Sequence, residues 1–416
     1  MPAGAKVPLR WLSLRPVPTS ARRPTQVVRV LAFNLAMLLG LLALTEAALR
    51  LAGVRYPAFY RPDRVRGFTL RPGASGWWTR EGRGQVTINH DGLRDVDHNR
   101  QPAPGVLRVA VLGDSFSEAL QVNLEATWWK QLEARINATP DCALVRGYPK
   151  GVEFVNFGVG GYGTGLALLT WRQQAHAYAP RKVLLAMYLG NDIQDNTPQP
   201  RPDLPVFQFG PAGTLGIDNG FRNSAGSRFR FSPLGRLLDA VVDRSALLQL
   251  ANEAKNRWAS RRGPAPKAQA AVPLPEPDDP KGWTMTEALL RSLRDEVKAR
   301  GGELIVTSLS TPEQTWPDPA ARQAAFDRAG LRPFAREQRL SSLLAPMGVA
   351  YLPLAEQLQQ RADQSGITLH GFSGQQPGYG HWNQAGHRLA AEALARRLCG
   401  TPTAMPSADR TPWPAR

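Results

Sequence analysis

Cysteine is nearly absent from this chain: Cys142 and Cys399 are the only two among 416 residues. Two thiols so far apart make neither a disulfide framework nor a zinc-ligand cluster. They pair if the chain is exported, or stand as two buried thiols. Internal repeats are absent too. The formal charge of +17 lacks the Lys/Arg stripes interleaved with aromatics that track a phosphate backbone, because the excess is mostly arginine scattered along the chain. That argues against nucleic acid as a partner and leaves an anionic glycan or a membrane surface.

Acidic residues are missing ahead of Glu46, while Lys6, Arg10, Arg15, Arg22, Arg23 and Arg29 lie there. Residues 27–54 follow as a mostly apolar run, interrupted between Val30 and Leu49 only by Asn34 and Glu46. Such a run is long enough to span a bilayer. The basic flank keeps the N-terminus, residues 1–26, in the cytoplasm and sends the rest across. Small residues near the end of the run resemble a cleavage region only loosely, so the segment reads as a signal anchor rather than a cleaved signal. Glu46 and Arg50, at i and i+4, belong at the outer interface, where their charges reach water.

Residues 55–105 hold short patterned segments (GFTL, SGWWT, GQVTINH) between Pro and Gly turns, which predict a few strands forming a lead-in layer. From Val106 strands and helices alternate. Strands are expected at 107–112, 152–157, 182–189 and 302–308, and helices at 126–138, 165–178, 285–300 and about 383–398. Continuous apolar strands between helices predict a parallel sheet covered on both faces, within a domain spanning 106–399. Residues 197–281 are rich in Pro, Gly and Arg and carry one amphipathic helix around 234–260. They read as an insertion over one edge of the sheet, or, more sharply, as a cap over a substrate groove. The tail, 400–416, is expected to be disordered.

The strand around Leu112 ends in Gly113-Asp114-Ser115. In a parallel sheet ligands bind at the C-terminal ends of strands, and a serine opening a helix there has backbone N–H groups and a positive dipole end beside it. Taken alone, Asp-Ser before a helix is also an ordinary N-cap. Three further blocks reach the same edge: VNFGVGGYGTG (155–165), LGND (189–192) and GHWN (380–383), the last carrying His381 just before the final helix.

With Ser, Gly, Asn and His in separate blocks in this order, the chain resembles the SGNH/GDSL hydrolase superfamily over residues 106–397, apart from the insertion. The INHDGLRD run (88–95) and the apolar N-terminal segment are similar to a membrane-anchored bacterial branch of it. The resemblance implies a flavodoxin-like three-layer α/β/α sandwich and hydrolysis or transfer of ester-linked acyl groups. Matched by position, Ser115 is the nucleophile, His381 its base, and Ser115, Gly161 and Asn191 supply the oxyanion hole, with Gly158, Gly160 and Gly163 close enough to compete for the glycine role. The family's acid stands three residues before the histidine, where this chain has Gly378. The expectation is therefore a Ser-His dyad, its imidazole oriented by a backbone carbonyl of 376–379 or, failing that, by Asp195. Asp114 and Asp192 are expected to satisfy backbone donors.

No cofactor or metal is expected. His381 and His387 are six apart, about 240° around a helix, which does not make a metal pair; His387 is expected to be a packing residue. Of Trp128 and Trp129, one ring is expected in the core and one at the surface or in a groove, where it could carry a sugar. The function expected is a membrane-anchored, extracytoplasmic (periplasmic or cell-surface) esterase acting on O-acyl, chiefly O-acetyl, groups of a carbohydrate or lipid. The alternatives are an acyltransferase on an exported polysaccharide and a non-catalytic module that binds polysaccharide.

Overall fold

The computed structural model describes residues 24–199, 201–262, 277–373 and 377–400. Most of the basic N-terminal flank, residues 263–276 of the insertion, Gln376 and the tail beyond Gly400 lie outside them. The chain divides after Gly53 into two compact units. The first carries helix α1 (Pro24–Leu51), about 42 Å long at 1.5 Å per residue, long and apolar enough to cross a membrane. Its apolar side chains point outward along its length, and Arg50 pairs with Glu46 at 2.6 Å.

The second unit opens with two antiparallel ribbons, β1 (Tyr60–Asp63) with β2 (Gly67–Leu70) and β3 (Ser75–Trp78) with β4 (Gly84–Thr87). Then come β5 (Leu107–Gly113), α2 (Ser115–Glu118), α3 (Trp128–Asn137), β6 (Val152–Asn156), α4 (Thr164–Gln173), β7 (Lys182–Tyr188) and α5 (Asp192–Asp195). The insertion holds a short ribbon, β8 (Val206–Phe209) with β9 (Leu215–Asp218), and helices α6 (Ala225–Phe231), α7 (Pro233–Arg244) and α8 (Ala246–Arg262). After α9 (Pro280–Ala299) the sheet resumes with β10 (Glu303–Leu309). Helices α10 (Pro319–Ala329) and α11 (Ala335–Leu344), strand β11 (Ala350–Pro353), α12 (Ala355–Ser365) and α13 (Gln384–Cys399) complete the chain.

Five strands form one parallel sheet in the order β11-β10-β7-β5-β6. Numbered among themselves along the chain, that is 2-1-3-4-5 read from the β6 edge, the flavodoxin-like doubly wound order. The period of two explains why every residue of β5 is buried: Leu107, Val109 and Val111 pack into one apolar cluster, with α3, α12 and α13, and Ala110 and Leu112 into the other, with α4, α9 and α11. The expected three-layer α/β/α architecture is observed. Cys142 and Cys399 form a disulfide that ties the chain after α3 to the end of α13.

Three expectations change. The single insertion helix is two, because Ser245 is extended between α7 and α8 and its hydroxyl accepts from the Leu248 N–H at 3.2 Å. The insertion is held against the ribbons and α4, where Phe207 crowds Gly165 and Leu204 crowds Gly67; the edge strands of the sheet are β6 and β11. Both Trp128 and Trp129 are fully buried, because α3 packs on β6 with one side and against α13 with another. Neither ring is available to a sugar.

Candidate active site

The end of β5 and the start of α2 set Ser115. Asp114 caps the helix by accepting from the Phe116 N–H at 2.9 Å, and the indoles of Trp128 and Trp129 donate to the Phe116 and Ser117 carbonyls at 3.2 and 3.0 Å. A Cβ at Gly158 would lie 2.6 Å from that of Ser117, so the loop after β6 reaches the Ser115 turn only as glycine. Asn156, buried at the end of β6, donates to the Ser117 and Arg94 carbonyls and accepts from the Gly158 N–H. Its own N–H reaches Asp95 at 2.9 Å. The INHDGLRD run thus acts as a brace behind the serine.

His381 precedes α13 and brings Nε2 to 2.8 Å from Ser115 Oγ. Its ring lies 5.0 Å from that of Phe116, which in turn stacks on Tyr188 at 4.5 Å. Behind the imidazole stands Glu81. One carboxylate oxygen accepts from the His381 backbone N–H at 2.7 Å, and the other makes a short hydrogen bond to Nδ1. A carboxylate only accepts here, so Nδ1 carries the hydrogen and the Nε2 lone pair faces the serine hydroxyl. Burial alone would depress the His381 pKa, but the hydrogen bond and charge of Glu81 outweigh it and raise it above the usual histidine value. Burial likewise works to raise Glu81, and His381 more than offsets it, so that the carboxyl is held below its ordinary range.

The partner of the His381 ring is thus neither of those expected, a backbone carbonyl of 376–379 or Asp195. The Gly380 carbonyl accepts from His370 Nδ1 at 2.7 Å, not from His381. Asp195 takes the Asn191 amide and Arg201, each at 3.1 Å. Gly378, where the superfamily's acid would stand, has φ +84°, and a Cβ there would lie 2.8 Å from the Trp316 ring. At Gly380, φ +73°, an added Cβ would overlap Glu81. The loop is shaped to receive a carboxylate from elsewhere.

That carboxylate comes from the turn of the β3-β4 ribbon. Trp78 pairs with Gly84, which places Glu81 at the centre of residues 79–83. A Cβ at Gly82 would lie 2.6 Å from the Gln121 carbonyl and 2.9 Å from the Phe372 ring, and one at Gly84 would overlap the Leu120 carbonyl. The turn is therefore wedged between the segment leaving α2 and the loop leading to His381. On its other side α8 grips it: Glu253 accepts from Thr79 at 3.0 Å, and Arg257 donates to the same hydroxyl at 2.6 Å. The only sequence signal was a single acid between two arginines in a Gly-rich turn, TREGRG.

The loops after β6 and β7 bring Gly161 and Asn191 to the same end of the sheet, both exposed. Gly161 has φ +78°. Asn191 gives one amide hydrogen to Asp195, leaving the second available. Asp114 and Asp192 satisfy backbone donors as expected, the second taking the Tyr188 N–H at 3.0 Å. Burial pushes Asp114 up to about 6. His387 is buried, accepts the Trp128 N–H at 3.3 Å and is held down at about 3 by burial, in keeping with a packing role.

In fold, and in the order in which its Ser, Gly, Asn and His blocks reach the sheet edge, the chain resembles SGNH/GDSL hydrolases. No protein-family profile matches it, and no curated protein does. Among solved structures, a catalytic mutant of an acetylxylan esterase from Geobacillus stearothermophilus is 12% identical, over 70% of this chain and 94% of that one, with a TM-score of 0.35. An alpha/beta hydrolase enzyme from the metagenome of Lake Arreo, Spain, is 12% identical over 71% and 95%, with a TM-score of 0.36. At such scores the likeness carries no residue-level information.

Proposed function

We propose that this chain is a serine ester hydrolase of SGNH type, acting through Ser115, His381 and Glu81. The observation that carries the reading is the continuous relay from Glu81 through His381 to Ser115 Oγ, with the imidazole held in the tautomer a general base needs. Ser115 attacks the ester carbonyl while His381 Nε2 takes its proton. The N–H groups of Ser115 and Gly161 and the Asn191 amide hold the oxyanion. His381 then protonates the departing alcohol, and water repeats the sequence on the acyl-serine.

Location narrows the substrate. Helix α1 serves as a membrane anchor, and the Cys142–Cys399 disulfide suits an oxidising compartment. Both support an extracytoplasmic enzyme whose substrate is an O-acylated, in particular O-acetylated, carbohydrate or lipid. A complete relay also favours catalysis over a non-catalytic binding module. The test is a fluorophosphonate probe applied to the full chain, followed by peptide mapping. Labelling at Ser115 that is lost in His381→Ala is the expected result; an unlabelled Ser115 in folded protein overturns the enzymatic reading.

A further inference from the structure

Helices α6 and α7 leave an apolar face uncovered. Phe229 on α6 and Leu234, Leu237, Leu238 and Val241 on α7 are between 46 and 60% exposed. At 100° per residue the four α7 side chains fall within an arc of about 100°, a single stripe along the helix. Exposed leucines scattered singly are ordinary; a contiguous stripe on one helix calls for an occupant. Arg228 and Arg230, on either side of Phe229, and Arg244, about 70° from the centre of the α7 stripe, stand exposed on the same two helices. Against them are only Asp239 and Asp243, and Asp243 faces Arg71 at 3.5 Å. An occupant that is apolar beneath and anionic at its surface matches this combination.

The position of the face within the catalytic unit points to the same occupant. Helix α8 holds the first residues of that unit, with Gln249 accepting from the Tyr56 N–H at 3.1 Å and the Arg257 guanidinium 5.5 Å from the Tyr56 ring. Just before α6, Arg222 donates to the Arg64 carbonyl at 2.6 Å, and Arg64 lies 4.9 Å from the Phe231 ring. The insertion helices thus gather around residues 56–64, where the chain arrives from α1. From Leu51, the end of α1, to Tyr56 the backbone reaches at most about 18 Å.

We propose that the α6–α7 face seats on the membrane that α1 crosses, its leucines and phenylalanine below the phosphates and its arginines on anionic phospholipid headgroups. This rests on the reading of α1 as an anchor. An amphipathic helix with a basic flank binds in this way through apolar burial plus attraction to anionic lipid. Such a contact would seat the catalytic unit against the bilayer through the same insertion that grips the Glu81 turn.

The full chain, reconstituted in phosphatidylcholine vesicles with and without phosphatidylglycerol, tests this with a bimane label on Leu238→Cys, repeated on Leu237→Cys. The control label is on Glu356→Cys, an exposed site on α12, which packs on the opposite face of the sheet from the ribbons. Doxyl groups on the lipid are expected to quench the α7 labels about twofold or more, chiefly in the anionic vesicles, and to spare the control. Replacing Arg228, Arg230 and Arg244 together by Glu is expected to abolish that quenching. A label quenched by aqueous iodide but not by lipid overturns the proposal. So does one quenched by neither, which would mean that residues 263–276 or a second copy cover the stripe. A chain that fails to float with the vesicles removes the anchor and the docking together, whereas one that floats with unquenched α7 labels removes the docking alone.

Discussion

Ser115 and His381 are held by the sheet and its helices, whereas Glu81 arrives from a ribbon outside the sheet. The first two inherit their positions from deep burial: β5 has no exposed residue, and Phe116, Trp128, Trp129 and Trp382 close around the serine turn and the histidine. The ribbon has four-residue strands and little core of its own. It gains precision by fitting its turn against surfaces where glycine alone leaves room, at Gly82, Gly84 and Gly380, and by the grip of α8 on Thr79. The relay is thus held in two ways, one by packing many atoms and the other by removing a few. The second way should fail to much smaller perturbations.

Replacing the groups that carry the chemistry should cost most. Ser115→Ala is expected to reduce ester turnover by about 10⁶-fold without unfolding the chain, as checked by steady-state rates and circular dichroism. Asn191→Ala should lower kcat by about 10²- to 10³-fold with little change in KM, because its donor acts on the oxyanion. Gly380→Ala sharpens the comparison directly. One methyl group displaces the Glu81 carboxylate, and a loss of about 10²-fold in kcat/KM is expected from a shift on the order of 1 Å. Truncating an exposed side chain of α13 to a methyl group, as in Arg388→Ala, should leave turnover unchanged. The smallest effect belongs to the grip of the insertion: Glu253→Ala removes one of the two α8 contacts to Thr79 and should lower kcat by roughly threefold, about 0.7 kcal/mol in barrier height. An equal loss in Gly380→Ala and Glu253→Ala would break the distinction between glycine fit and the outer grip.

The parts legible in the sequence are those that periodicity or a strand end marks. Strands buried on both faces appear as unbroken aliphatic runs, so β5, β6, β7 and β10 were placed closely; the blocks after β5, β6 and β7 pointed to Ser115, Gly161 and Asn191, and the block before α13 pointed to His381. Strand β11 is only half-buried and carries no such run. Glu81 was invisible for a different reason: its partner is 300 residues away, and a turn has no period from which to read direction. Gly378 was read as a missing acid when it is a site of positive φ packed against Trp316. Helix α3 misled because adjacent residues on a helix diverge by about 100°, which normally exposes one of two tryptophans; cover from α13 buries both.

The central claim is that Glu81 orients and charges His381, and the pH dependence of probe labelling at Ser115 tests it most directly. In the wild type the labelling rate should rise with pH through a midpoint above the ordinary histidine value of about 6.5, because the base must be neutral and Glu81 raises its pKa. Glu81→Gln should slow labelling by about 10²- to 10⁴-fold and move the midpoint to lower pH, while Asp195→Asn, which touches Asn191 rather than His381, leaves the midpoint unchanged. A Glu81→Gln protein that labels at the wild-type rate with the wild-type midpoint would contradict the account.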